Sequence, residues 1–224
     1  MAFCAGQADA KLHYDLYYGL PGGTGSKILD AGLFTGDIGS IGDISDVPVM
    51  AKYALSDKLE VGARITLGVL NDDNDSFHSL LVGAKHGLSD NSAVTVNVLT
   101  PVAGVDDIGL SVGYMMSKEM GGMTVNKHLQ AAFLDGYTGG TGVGLDLLVE
   151  PAKPLGNNLV GYLDILVSTN MDDITGDPLG INLGPNVDFT LNENTVINAG
   201  IVIGIAGDAK ADEIGLGVAA LIGM

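Results

Sequence analysis

Apolar and polar residues alternate with a period of two over much of the chain, and the pattern is clearest from Leu59 to Val69. Every second residue of this stretch is apolar, while the residues between are polar or glycine. Successive side chains of a β-strand point to opposite faces, so the pattern predicts a strand with one apolar and one polar face. The same split recurs at residues 108–114, 143–150 and 179–191.

The predicted strands are about ten residues long, which is typical of tilted membrane-spanning strands and longer than most strands of soluble sheets. Short turns rich in Gly, Asn, Asp and Ser alternate along the chain with longer connections. The short turns lie at 56–58, 89–91, 121–122, 156–158 and 192–194, and the longer connections at 71–76, 103–107, 135–142, 169–178 and 207–212. In an up-and-down meander this order predicts short turns at one rim and long loops at the other, as in outer-membrane barrels.

Strand counting gives ten strands between residues 47 and 206 and one more at 214–222. Residues 12–20 and residues 28–35 both alternate well enough to supply another strand. Bacterial single-chain barrels have even strand numbers, with both chain ends at the short-turn rim. We therefore predict an all-β, antiparallel, up-and-down barrel of twelve strands, with fourteen as the alternative.

Composition narrows the class of protein. The chain has 224 residues, of which 34 are glycine, and its formal net charge is -17. This length fits one all-β domain, so we expect a single barrel over residues 11–224, and residues 1–10 are interpreted as a stub such as a signal-peptide remnant. Only ten Lys and Arg residues oppose 27 Asp and Glu, which argues against a nucleic-acid partner. The single Cys4 excludes an internal disulfide.

One segment resembles a known family. From Gly39 the chain reads Gly-Ser-Ile-Gly-Asp-Ile, continues into a strand that ends Lys-Tyr-Ala-Leu, and turns at Ser-Asp-Lys. This run is similar to outer-membrane transporters of the aromatic-degradation (meta-pathway) and fatty-acid transport type, and residues 84–94 repeat its turn pattern. The resemblance implies a transport barrel for small, hydrophobic solutes. The absence of Trp and an aromatic content of 5% depart from the aromatic girdles usual in such barrels.

Polar residues on the second face of the predicted strands would point into the lumen, which should be narrow in a barrel of about twelve strands. Side chains of both charges in the lumen can contact a passing solute or form structural ion pairs, because a buried charge must be paired or hydrated. The candidate lumen-lining residues are Lys52, Glu60, Arg64, Lys85, His128, Asp146, Glu150, Asp164 and Asp188, together with Asn97, Gln130, Asn182 and Asn186 on the same face. Lys127 falls on the apolar face instead, where it would reach towards lipid headgroups or mark a register shift.

Acidic clusters mark the longer loops, and carboxylates are the oxygen ligands that Ca²⁺ accepts. The candidate ligands are Asp72, Asp73, Asp75, Asp172, Asp173 and Asp177. The first cluster lacks the glycine and the distal glutamate of an EF-hand loop, so a solvated charged rim is the preferred interpretation. No other cofactor is expected. No motif joins a nucleophile, a base and an orienting group, so no catalytic residue is predicted.

Three functions follow from these patterns. The first is a porin-like or small-solute transport channel in an outer membrane of the Gram-negative type, with the lipid bilayer as partner. The second is a structural protein that assembles with its own copies into an extracellular surface layer or sheath. The third is a rim-active outer-membrane hydrolase. We predict the first, without enzymatic activity, and leave open whether the barrel forms homo-oligomers.

Overall fold

The computed structural model describes residues 25–35, 46–68, 79–100, 108–133, 143–170, 179–207 and 214–224. These residues form twelve antiparallel strands. The strands are β1 (Lys27–Thr35), β2 (Asp46–Ser56), β3 (Leu59–Gly68), β4 (Ser79–Ser89), β5 (Ser92–Thr100), β6 (Gly109–Met120), β7 (Met123–Phe133), β8 (Val143–Pro154), β9 (Leu159–Asn170), β10 (Leu179–Asn192), β11 (Thr195–Ala206) and β12 (Gly215–Gly223). The described part of the chain has no helix long and apolar enough to cross a membrane.

Each strand pairs with its neighbours in sequence, and β1 pairs with both β2 and β12, which closes the barrel. The prediction of an all-β antiparallel barrel is confirmed, with twelve strands rather than fourteen. Of the two candidate strands near the N-terminus, residues 28–35 lie in β1. Residues 1–10 and 12–20 lie outside the described residues.

The short-turn rim carries five tight connections, each at a position where the sequence predicts a turn. Gly121 and Gly122 have φ angles of 61° and 82°, the left-handed conformation that a two-residue hairpin turn requires. At the β2–β3 turn, the backbone N–H of Leu59 donates to Ser56 Oγ at 3.1 Å. Strand β1 begins and strand β12 ends at this rim. The backbone N–H of Met224 donates there to the carbonyl of Lys27 at 2.9 Å.

The two faces of the barrel wall have opposite polarity. Large apolar side chains such as Leu33, Val96 and Leu129 are exposed on the outer face. The inner face carries buried polar side chains, among them Lys85, Asn97 and Glu150, which have no exposed surface. A water-soluble protein buries its apolar residues and exposes its charges, so this barrel has the reverse arrangement.

Candidate functional site in the barrel lumen

A belt of polar side chains lies on the inner face of ten consecutive strands, from β2 to β11. Each side chain of this set is at least nine-tenths buried. The set, called the polar belt below, is Lys52, Glu60, Lys85, Thr95, Asn97, Ser111, His128, Glu150, Asp164, Asn186, Asp188 and Asn198. Cross-strand registers make it continuous, since Lys85 lies opposite Glu60 on one side and opposite Thr95 on the other.

Three cations lie on the lumen faces of β2, β3 and β4, which are called the basic arc. They are Lys52, Arg64 and Lys85. Lys85 Nζ lies 2.9 Å from Glu60 Oε1, and the two side chains are 0% and 2% exposed. A charge that is shielded from water in this way needs a close partner of opposite charge. The register that places Lys85 opposite Glu60 supplies that partner for both side chains.

Carboxylates dominate the lumen faces of β8, β9 and β10, which are called the acidic arc. Its members are Asp146, Glu150, Asp164 and Asp188. Strands β5 to β12 have three lysines within the described residues, Lys118, Lys127 and Lys153. All three lie on the outer face and are exposed. No described Lys or Arg of these strands therefore faces the lumen.

Amide side chains hold the carboxylates of the acidic arc. Asn126 Nδ2 donates to Glu150 Oε1 at 2.8 Å. Asn186 Nδ2 donates to Asp164 Oδ2 at 2.9 Å, and Asn198 Nδ2 donates to Asp188 Oδ1 at 2.6 Å. An amide satisfies a carboxylate oxygen without bringing positive charge. These hydrogen bonds therefore differ from the contact of Glu60 with Lys85, in which the donor is a cation.

Uncharged polar residues separate the two arcs on β5, β6 and β7. Asn97 Nδ2 donates to Ser111 Oγ at 3.0 Å across the β5–β6 ladder. Beside them, a methyl group on Gly113 would collide with the hydroxyl of Thr95 and the imidazole of His128. Glycine at this position therefore lets Thr95 and His128 approach one another over the backbone of β6.

All thirteen candidate residues of the sequence analysis lie on the inner face of the wall. Ten are buried, and Arg64, Gln130 and Asp146 are half-buried. The structure brings Glu60 to Lys85 directly and joins Asp164 to Asp188 through Asn186 and Asn198, since Asn198 Nδ2 also lies 3.3 Å from Asn186 Oδ1.

Sequence reasoning missed several members of the polar belt, including Thr95, Ser111 and Asn198. Thr95 precedes Asn97 on the same face of β5, so strict alternation could have found it. Asn198 lies in a strand that reads as apolar, where Gly200 and Gly204 on the same face give no polarity signal.

The candidate calcium ligands lie outside the described residues. They are Asp72, Asp73, Asp75, Asp172, Asp173 and Asp177. Within the described ranges, no group of three His, Cys, Asp or Glu side chains is placed to hold a metal ion. Calcium binding at the long-loop rim therefore stays a prediction from the sequence.

An outer membrane channel and a porin of known structure have a similar architecture. An outer membrane channel from Pseudomonas putida F1 matches with a TM-score of 0.66 at 13% identity, over 96% of this chain and 100% of that chain. The fold is that of an outer-membrane β-barrel. The NanC porin matches with a TM-score of 0.55 at 6% identity, over 88% of this chain and 98% of that chain. Neither a protein-family model nor a curated protein matches the sequence.

Identities this low establish the shared barrel and nothing finer. The resemblance of residues 39–62 to aromatic-degradation and fatty-acid transporters therefore stays a prediction.

Proposed function

We propose that this protein is a narrow, porin-like channel of the outer membrane that passes small polar solutes and prefers cations. The observation that carries the proposal is the reversed polarity of the closed barrel, which is apolar outside and charged inside. The cation preference follows from the acidic arc.

The outer face supports placement in a bilayer. Exposed large apolar side chains occur on every strand from β1 to β12 except β3, for example Leu33, Tyr53, Val96 and Val218. In water such a surface would drive association, whereas in a membrane it faces lipid. The sheath alternative is less favoured, because a closed barrel leaves no unpaired strand edge for a sheet to grow on.

The lumen supports a small and polar solute. A hydrophobic solute would have to displace buried charges and amides from their partners without replacing their hydrogen bonds, which is costly. A small polar or cationic solute can exchange hydrogen bonds with the same groups. Because water barely reaches the polar belt, we expect a low conductance.

Reconstitution in planar bilayers tests the proposal. We expect small conductance steps in KCl and, under a salt gradient, a reversal potential on the cation-selective side. The variant D164N/D188N should lower the cation-to-anion permeability ratio several-fold, because it removes two carboxylates of the acidic arc. The matched control D90N/E193Q neutralises two exposed acids at the short-turn rim and should leave the ratio unchanged.

Two outcomes would contradict the proposal. A barrel that inserts into bilayers but passes neither ions nor small solutes would not be a channel. Equal changes of selectivity in the two double variants would show that overall charge, and not the acidic arc, sets the preference.

A further inference from the structure

Three exposed lysines interrupt the apolar outer wall near the short-turn rim. They are Lys118 on β6, Lys127 on β7 and Lys153 on β8, and they are called the lysine triad below. The sequence pattern leaves two explanations for Lys127, an outward lysine or a register shift. The pairing of β7 with both neighbours is continuous through Lys127, opposite Met116 and Val149, so the lysine is outward in an unshifted strand.

The registers bring the triad around one patch of the wall. Lys118 pairs with Val125, and Val125 pairs with Pro151 in the next strand. Lys127 is the next outward residue after Val125, and Lys153 is the next after Pro151. With strands about 4.8 Å apart and alternate residues about 7 Å apart, the three Cα atoms lie about 7 to 14 Å from one another. Flexible lysine side chains can span such distances, so the three ammonium groups can converge on one anion.

Within the described residues, no ion pair joins a carboxylate to any of these three ammonium groups. Their side chains form no hydrogen bond with a described residue either. Their cross-strand partners are apolar or glycine, such as Val125, Val149 and Gly161. The triad is thus a local positive charge on an otherwise apolar surface.

A shallow, open apolar groove of about 680 Å³ begins beside the triad. Its lining includes Met123, Pro151, Leu163, Val187 and Ile201, and it crosses the outer wall from β7 to β12. Lys153 lies at its border, because Lys153 pairs with Gly161, which also lines the groove.

Two prolines help to explain why the wall is indented at this point. Pro151 in β8 and Pro185 in β10 have no N–H to donate to the ladder. The β8–β9 pairing skips the position of Pro151, and the β10–β11 pairing skips that of Pro185. Both line the groove, so it lies where the β8–β9 and β10–β11 ladders are interrupted.

We propose that the lysine triad and the groove together bind one anionic phospholipid. The triad holds the phosphate, and the groove takes an acyl chain. Short turns of bacterial barrels face the periplasm, so the lipid belongs to the inner leaflet of the outer membrane. This site rests on the membrane placement proposed above, and it adds a specific lipid partner to it.

Native mass spectrometry of the detergent-folded barrel tests the headgroup half of the site. The probes are dimyristoylphosphatidylglycerol and dimyristoylphosphatidylcholine, which share acyl chains and differ in net charge. We expect the wild-type barrel to retain one phosphatidylglycerol preferentially, and K127Q/K153Q to lower its retention about tenfold. The control K27Q/K58Q removes two other exposed lysines at the same rim and should retain the lipid as the wild type does.

The acyl half is tested by filling the groove. Ala199 lines it, so Ala199→Phe should lower retention of dimyristoylphosphatidylglycerol towards that of the dihexanoyl lipid, which cannot occupy the groove fully. Ala51→Phe places the same ring on the outer face of β2, away from the groove, and should have no such effect. The shift between folded and heat-denatured mobility on gels verifies that each variant is folded, and K118Q/K127Q replaces K127Q/K153Q if the latter does not fold.

The outcomes separate this site from the channel. Equal retention of the two lipids by the wild type, or equal loss in the two double-lysine variants, would overturn the lipid site while leaving the channel intact. Preferential retention of lipopolysaccharide over phosphatidylglycerol would also overturn it. A barrel that fails to insert into phospholipid vesicles would instead overturn the membrane placement on which both proposals rest.

Discussion

The basic arc and the acidic arc of the lumen hold buried charge in different ways. In the basic arc, Lys85 and Glu60 neutralise one another at 2.9 Å. In the acidic arc, Glu150, Asp164 and Asp188 receive hydrogen bonds from neutral amides. An ion pair cancels its own field, whereas a carboxylate held by an amide keeps its charge. We infer that the first arrangement mainly stabilises the barrel and that the second acts on solutes.

The strongest test of this comparison is Lys85→Met, which removes one partner of the buried Lys85–Glu60 ion pair. Glu60 is 2% exposed and would lose the ammonium group that lies 2.9 Å from its Oε1. We expect the free energy of unfolding to fall by about 3 to 5 kcal/mol. Urea unfolding of the barrel in phospholipid vesicles measures it.

The double variant K85M/E60M distinguishes lost compensation from lost packing. Two apolar residues of similar size can replace a buried ion pair with little change in stability. We therefore expect the double variant to unfold close to the wild type. If it is as unstable as Lys85→Met alone, the pair is not what stabilises the basic arc.

Removing an amide from the acidic arc should have a smaller effect. Asn198→Ala loses the hydrogen bond to Asp188 at 2.6 Å and the contact with Asn186 at 3.3 Å. Hydrogen bonds to charged groups contribute about 1.5 to 3 kcal/mol, and that is the loss expected in the same unfolding assay. Asn194→Ala, in an exposed turn, should change stability little, and a similar loss there would show that the effect is not specific to the lumen.

Most of the fold could be predicted from the sequence because the two faces of the wall meet such different surroundings. In β3 and β10 the difference leaves a strict alternation of apolar with polar or glycine residues, which locates both the strand and its faces. The first strand could not be assigned in this way, since residues 12–20 alternate as well as residues 28–35 do. Pairing of β1 with β12, at the other end of the chain, closes the ring, and no local pattern encodes it.

The sequence pattern likewise predicts that the charged residues of the two arcs face the lumen, but it does not predict their partners. Glu60 and Lys85 lie on different strands, and only the register of β3 against β4 sets them opposite one another. The division into a basic and an acidic arc depends in the same way on strand order around the ring. Alternation specifies a face, whereas the partner of a side chain depends on its height and position on that face.

Glycine at position 113, between the two arcs, offers a finer test of how tightly the lumen is packed. The methyl group of Gly113→Ala would collide with Thr95 and His128, whose side chains can rotate away. We expect a loss of about 1 kcal/mol, at the lower end of the range for overpacking. At Gly144, also on the inner face, an added methyl would come no closer than 3.9 Å to its neighbours, so Gly144→Ala should be nearly neutral. Equal costs would mean that Thr95 and His128 are not packed over β6.

The smallest effects are expected at the turns beneath the arcs, and they provide the baseline for the comparison. Ser56 Oγ accepts hydrogen bonds from the backbone in the hairpin that carries the basic arc, and Asn192 Oδ1 does so in the β10–β11 hairpin of the acidic arc. Both groups are exposed, so Ser56→Ala and Asn192→Ala should each lower the free energy of unfolding by about 0.5 kcal/mol. Equal small losses at the two turns would show that the different contributions of the arcs to stability come from their side chains in the lumen. If Ser56→Ala cost as much as Lys85→Met, the stability of the basic arc would come from its hairpin and not from its buried ion pair.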